Sequence, residues 1–73
     1  MAIVKVIEVL AESPDSWEEA ARYAVLEASK TIRNIRSVYV QDLQATVEGY
    51  EIRSFRLCAK ISFVVEGSEP ATE

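Results

Sequence analysis

Histidine is absent from this 73-residue chain, and cysteine occurs once, at Cys58. Without imidazole there is no Ser-His-Asp triad and no His-based zinc site. A single thiol excludes an intramolecular disulfide framework and a cysteine-rich metal site. Positive charge is in deficit: 8 Lys and Arg stand against 12 Asp and Glu, a net charge of −4. That sign opposes sequence-independent attachment to phosphate backbones, so no nucleic acid partner is expected. Long apolar runs are missing too. No stretch approaches the roughly 18 residues that span a bilayer, so no membrane partner is expected. Lys5 and Glu8 interrupt the N-terminal run too early for a secretory core. A free thiol without such a leader favours the cytoplasm. What is present is an apolar fraction of 49%, the value of a globular domain rather than a disordered one.

Residues 3–10, Ile-Val-Lys-Val-Ile-Glu-Val-Leu, are β-branched and apolar and read as a strand. A helix start follows at Ser13-Pro14-Asp15-Ser16-Trp17-Glu18-Glu19, where Ser16 and Glu19 form the S-x-x-E capping box. From Trp17 to about Ile35 the apolar stripe is Ala21, Ala24, Val25, Ala28, Ile32 and Ile35, at helical spacing. Its alanines imply close approach to a sheet. Glu18 and Arg22 can pair on the other side. Tyr23 and Leu26 lie near that polar side, either as single surface apolars or as a subunit contact.

Residues 37–48 read as a second strand whose phase slips: Val38 and Val40 mark one face, Leu43, Ala45 and Val47 the other. A bulge or bend near Gln41-Asp42 reconciles the two, because one extra residue flips the alternation. Glu48-Gly49-Tyr50-Glu51 is the turn of a hairpin leading to a third strand. In that strand Phe55, Leu57, Ala59, Ile61, Phe63 and Val65 point inward, and Ser54, Arg56, Cys58, Lys60 and Ser62 outward. The order is β-α-β-β, an α+β domain over residues 1–66. The run 67–73 has little to bury and is expected to fray.

One helix covers only one face of a three-stranded sheet and leaves edges unpaired. A domain of about 60 residues buries only about 60% of its unfolded surface. With disulfides and His/Cys metal clips absent, oligomerisation is the remaining staple. A closed, symmetric homo-oligomer is therefore expected.

Three runs carry a family resemblance: Val4-x-Val6-Ile7-Glu8, Ser13-Pro14-Asp15-Ser16-Trp17-Glu18-Glu19-Ala20, and Ala28-Ser29-Lys30-Thr31-Ile32-Arg33-Asn34-Ile35-Arg36. With Phe55-Arg56-Leu57 and Ser62-Phe63, the chain resembles a dodecin over about residues 3–66. The resemblance implies a curved, three-stranded antiparallel sheet partly wrapping its helix, with twelve copies closed into a hollow shell. It also implies a non-catalytic protein that binds or stores a small ligand. Typical dodecins stack paired flavins between Trp side chains that open the second strand, and hydrogen-bond the flavin from a Gln on the third. The matching positions here are Ser37 and Arg56. Ser37 has no aromatic area to stack. Tyr39 lies two residues on along the same face and can compensate only in part. Trp17 matches the helix start, not the stacking position. Flavin is thereby disfavoured as a cofactor.

The same departures resemble the calcium dodecins, which also lack the Trp and carry Arg in place of Gln. Calcium takes carboxylate, carbonyl and water oxygens. Asp15 and Asp42 fall where dodecins gather ions between subunits, so calcium or another divalent cation is the alternative ligand. Each has a plainer reading, as a helix-dipole acid and a solvated bulge residue respectively. Cys58 reads as a small strand side chain, since no His is present to activate it. Arg56 and Lys60 read as solvated charges, as partners for a neighbour's acids, or as holders of an anion. Glu8 reads as an intersubunit ion-pair member. A third possibility is a purely structural shell. No acid-base or nucleophilic pair points to an enzyme.

Overall fold

The structure, a computed structural model, describes residues 2–65, so the expected tail 67–73 lies outside the described residues. The elements are β1 (Val4–Ser13), α1 (Trp17–Ala28), β2 (Ile35–Glu48) and β3 (Glu51–Val64). All pairings are antiparallel, in the order β1-β3-β2. This is the expected β-α-β-β topology. The longest and most regularly alternating apolar run takes the central position, where both edges are paired.

The helix begins with one half of the expected capping box, the Ser16 cap, while the Glu19 carboxylate turns to Arg22. Ser16 Oγ accepts from the Glu19 amide at 3.0 Å, and Pro14 lies outside the first turn. The Glu19 carboxylate is engaged by Arg22 at 2.5 Å, with Glu18 on the same guanidinium at 3.2 Å. The far end departs from expectation: α1 stops at Ala28, not near Ile35. Ser29-Lys30-Thr31 form turns back to the Val25, Glu27 and Ala28 carbonyls. Asn34 then takes a left-handed φ of 64° and redirects the chain into β2. Ile35 continued the apolar spacing because, as the first residue of β2, it packs on the same core that the helix covers. In the last helical turns Glu27 hydrogen-bonds Lys30 at 2.8 Å. That bond, followed by the attraction of the Glu27 charge, raises the ammonium pKa above 10.5.

The core lies between α1 and the facing side of the sheet. Its fully buried members are Ala11, Ala20, Ala24, Leu57, Ala59 and Ile61, ringed by Ile7, Val9, Trp17, Ala21, Ala28 and Ile35. Four of the six are alanines, so helix and sheet approach closely, and among the described residues only Leu57 and Ile61 are large side chains fully out of solvent. At the end of β3, Val64 is buried and Phe63 half-buried, while Val65 lies past the strand. The unbroken β1–β3 register keeps Phe63 on the side of Ile61, as expected, while Val64 is buried from the other side.

The expected irregularity in β2 is present. Gln41 pairs with Cys58 and Gln44 with Arg56, so three steps on β2 match two on β3, and Asp42 takes φ 55°. The extra residue returns the apolar side chains after the bulge to the helix side, as the phase slip required. Further shifts fall between Ile35 and Ser37 and between Thr46 and Val47. Beyond Ser13 of β1, β2 and β3 continue as a two-stranded ribbon ending at Gly49, whose φ of 65° suits a two-residue hairpin loop. The molecule is consequently long. Its radius of gyration is 14.9 Å and its longest extent 54 Å, against about 11 Å of radius for a compact chain of this length.

Candidate functional site

The sheet face turned away from α1 collects nearly every candidate polar residue. Register places them in rows across β1, β3 and β2: Val6–Ser62–Ser37, Glu8–Lys60–Tyr39, Leu10–Cys58–Gln41 and Glu12–Arg56–Gln44. Side chains alternate along a strand, so all these residues share one side. Ser37, Tyr39 and Arg56 are thus on one face.

They are not together. Ser37 pairs with Ser62, six residues along β3 from Arg56, which is about 20 Å at 3.3 Å per residue. Ser37 Oγ shares a short hydrogen bond with Ser62 Oγ at 2.5 Å, so its hydroxyl is already committed. Tyr39 is exposed opposite Lys60.

Arg56 belongs to a polar relay that crosses all three strands. Thr46 Oγ1 and the buried Ser54 Oγ lie 2.6 Å apart, Ser54 Oγ donates to Glu12 Oε2 at 2.5 Å, and Glu12 Oε1 lies 3.9 Å from Arg56 Nε. Among the described residues the buried Arg56 Nε has no hydrogen-bond partner. An unsatisfied guanidinium N–H in a half-buried position is a costly arrangement, removed by an added acceptor. Glu8, expected to pair between subunits, stands opposite Lys60 in its own chain and accepts from Gln41 Nε2 at 3.4 Å. Sequence reasoning missed this relay. Its only signal was the row of hydroxyls Thr46 and Ser54 beside a Glu and an Arg, and pairing register is needed to see it.

The two candidate cation ligands lie near this relay, at the end of the sheet away from Ser37: Asp42 is two residues from Gln44, which pairs with Arg56, and Asp15 is three residues from Glu12. Asp15 sits in the loop before α1, where its amide donates to Ser13 Oγ at 3.0 Å. Asp42 sits at the bulge. Trp17 joins these segments: its indole N–H donates to the Gln44 carbonyl at 2.7 Å, and its ring meets Phe55 edge-on at 4.9 Å and 72°. Asp15 and Asp42 each lie two residues from that contact. Both carboxylates are exposed. Among the described residues no three His, Cys, Asp or Glu side chains gather into a metal cluster. A cation bound by these two therefore needs further oxygens, from water or from another chain. Cys58 is half-buried between Leu10 and Gln41.

Comparison with known proteins matches residues 3–66 to the dodecin family. The chain belongs to the dodecin family. This dodecin is 31% identical to the calcium dodecin of Mycobacterium tuberculosis over 96% of its own length and 99% of that protein's. A solved structure of the M. tuberculosis calcium dodecin, described as calcium chelating with a novel calcium-binding site, superposes with a TM-score of 0.77. It is 33% identical and covers 93% of this chain and 97% of that one. The dodecin of Streptomyces coelicolor superposes with a TM-score of 0.86, 30% identical over 92% and 96% of the two chains. A T. thermophilus dodecin variant, 20% identical, shares the fold with a TM-score of 0.87 over 93% and 100% of the two chains. Among the described residues no helix is long and apolar enough to cross a membrane.

Proposed function

We propose that this dodecin closes into a shell of twelve copies and binds a small ligand without catalysis, at sites completed by neighbouring subunits. In this reading the ligand is not a stacked flavin pair. The observation that carries it is Ser37: a hydroxyl bonded to Ser62 stands at the position that the family resemblance gives to the stacking Trp. Stacking adds about 0.5–1.5 kcal/mol per aromatic pair beyond burial, and serine offers none of it. Assembly is supported by the long, thinly cored subunit, in which large side chains such as Val4, Val6, Leu10, Tyr23 and Leu26 are exposed. The half-buried Cys58 thiol suits a reducing compartment, in keeping with the cytoplasm. Light scattering tests the assembly: twelve chains of 8.2 kDa give about 98 kDa. The purified protein is expected to be colourless and to leave added riboflavin largely fluorescent, whereas Ser37→Trp increases quenching. Tight quenching by the unaltered protein refutes the reading.

A second reading, calcium or another divalent cation between subunits, is favoured by the likeness to the M. tuberculosis calcium dodecin and by the fixed backbone at Asp42. Asp15 and Asp42 of different copies then supply oxygens, with water completing the shell. Binding at a hundredfold excess over Kd stabilises by about 2.7 kcal/mol. Millimolar calcium raises the melting temperature, and Asp42→Asn reduces the gain more than Glu18→Gln. Equal responses, or none, leave both residues as ordinary surface acids.

A further inference from the structure

The apolar side that α1 covers does not end where α1 begins. β1 stops at Ser13, opposite Phe55, and Trp17 closes over Phe55, yet β2 and β3 run on to Gly49 and Tyr50. The register shift after Thr46 keeps Ile52 opposite Val47, and alternation from Ala45 puts both on the helix side. Among the described residues nothing of their own chain covers them. Val47 is 66% and Ile52 56% exposed, and Tyr50 at the tip is fully exposed. A two-stranded ribbon with an open apolar side is marginal in water.

The same chain carries an apolar vacancy elsewhere. Between β1 and α1 an open groove of about 470 Å³ is lined by Ile7, Val9, Tyr23, Ala24, Ala28 and Ile32. Alanines on the helix leave it hollow. β2 and β3 run on past the end of β1, and Val47, Tyr50 and Ile52 are exposed, so they do not fill the groove of their own chain.

We propose that the ribbon tip of one copy seats Val47, Tyr50 and Ile52 in the β1–α1 groove of a second copy. The proposal rests on the assembly put forward above and names the surfaces that make it. Every copy brings one ribbon and one groove, so copies of this chain satisfy both in equal number, whereas a foreign partner on either surface leaves the other bare. Two different patches meet, so the contact is heterologous, and such contacts generate rings when the rotation closes. That is the kind of joint a closed shell requires.

Engineered thiols test it. In a Cys58→Ser background, chains carrying Tyr50→Cys and chains carrying Thr31→Cys are co-expressed, purified and oxidised. Thr31 lines the groove. The mixture is expected to give a cross-linked pair holding one chain of each kind, and neither variant alone to cross-link. Self-linking of Tyr50→Cys chains, or no link in the mixture, overturns the proposal. Ile52→Asp is expected to weaken assembly at least tenfold by light scattering with the β-sheet circular dichroism retained, and unchanged assembly counts against the docking. If the parent protein is a monomer, the assembly reading itself fails. If it is a dodecamer without the mixed link, only the docking fails.

Discussion

Trp17 joins the start of the helix to the bulged strand by two separable interactions, and two replacements divide them. Trp17→Phe removes the indole N–H that reaches the Gln44 carbonyl at 2.7 Å but keeps a ring against Phe55. A hydrogen bond contributes about 0.5–1.5 kcal/mol net. Gln44 is exposed, so water takes over its carbonyl and the loss falls near 1 kcal/mol. Trp17→Ala also removes the edge-on ring contact, about 0.5–1.5 kcal/mol, and the apolar burial behind it. Fully buried aromatics cost about 3–5 kcal/mol on truncation. Trp17 is half-buried, so about 3 kcal/mol is expected in total. Urea unfolding followed by circular dichroism reads both, at one fixed protein concentration because assembly shifts apparent stability by mass action. Fluorescence does not serve, since Trp17 is the chain's only tryptophan. Equal losses in the two variants would mean that the hydrogen bond, not the ring, anchors the helix. No loss in either refutes the anchoring role altogether.

Leu57 is 1% exposed and, among the described residues, one of only two large side chains fully out of solvent, so Leu57→Ala costs about 2–5 kcal/mol and is expected to leave little folded subunit in thermal melts. At Asp42, with φ 55°, Asp42→Ala is expected to be less stable than Asp42→Gly by about 1 kcal/mol in the same urea assay, because a Cβ without a polar side chain is disfavoured in the left-handed region. Equal stability of the two variants would show that the bulge relaxes when Asp42 is replaced. The Ser37→Trp quenching and the loss of calcium response in Asp42→Asn complete the set.

Local chemistry determined much of this protein before any tertiary contact. Ser16 three residues before Glu19 starts a helix by satisfying its free amides, a constraint that acts within one turn. The phase slip in residues 37–48 demanded an extra residue near Asp42, because alternation has a strict period of two. The absence of His and the single Cys excluded whole classes of chemistry without reference to shape. Tertiary structure decided what depends on pairing. The helix ends at Ala28 although apolar spacing continues to Ile35, since spacing records which residues face the core and not which element carries them there. Ser37 and Arg56 share a face but stand about 20 Å apart, a separation set by the β2–β3 register and readable only from it. The relay from Thr46 through Ser54 and Glu12 to Arg56 joins residues on three strands, and no spacing along the chain encodes it. The open ribbon exists because β1 stops at Ser13 while its neighbours continue, a comparison of strand lengths that becomes visible only once the strands are aligned side by side.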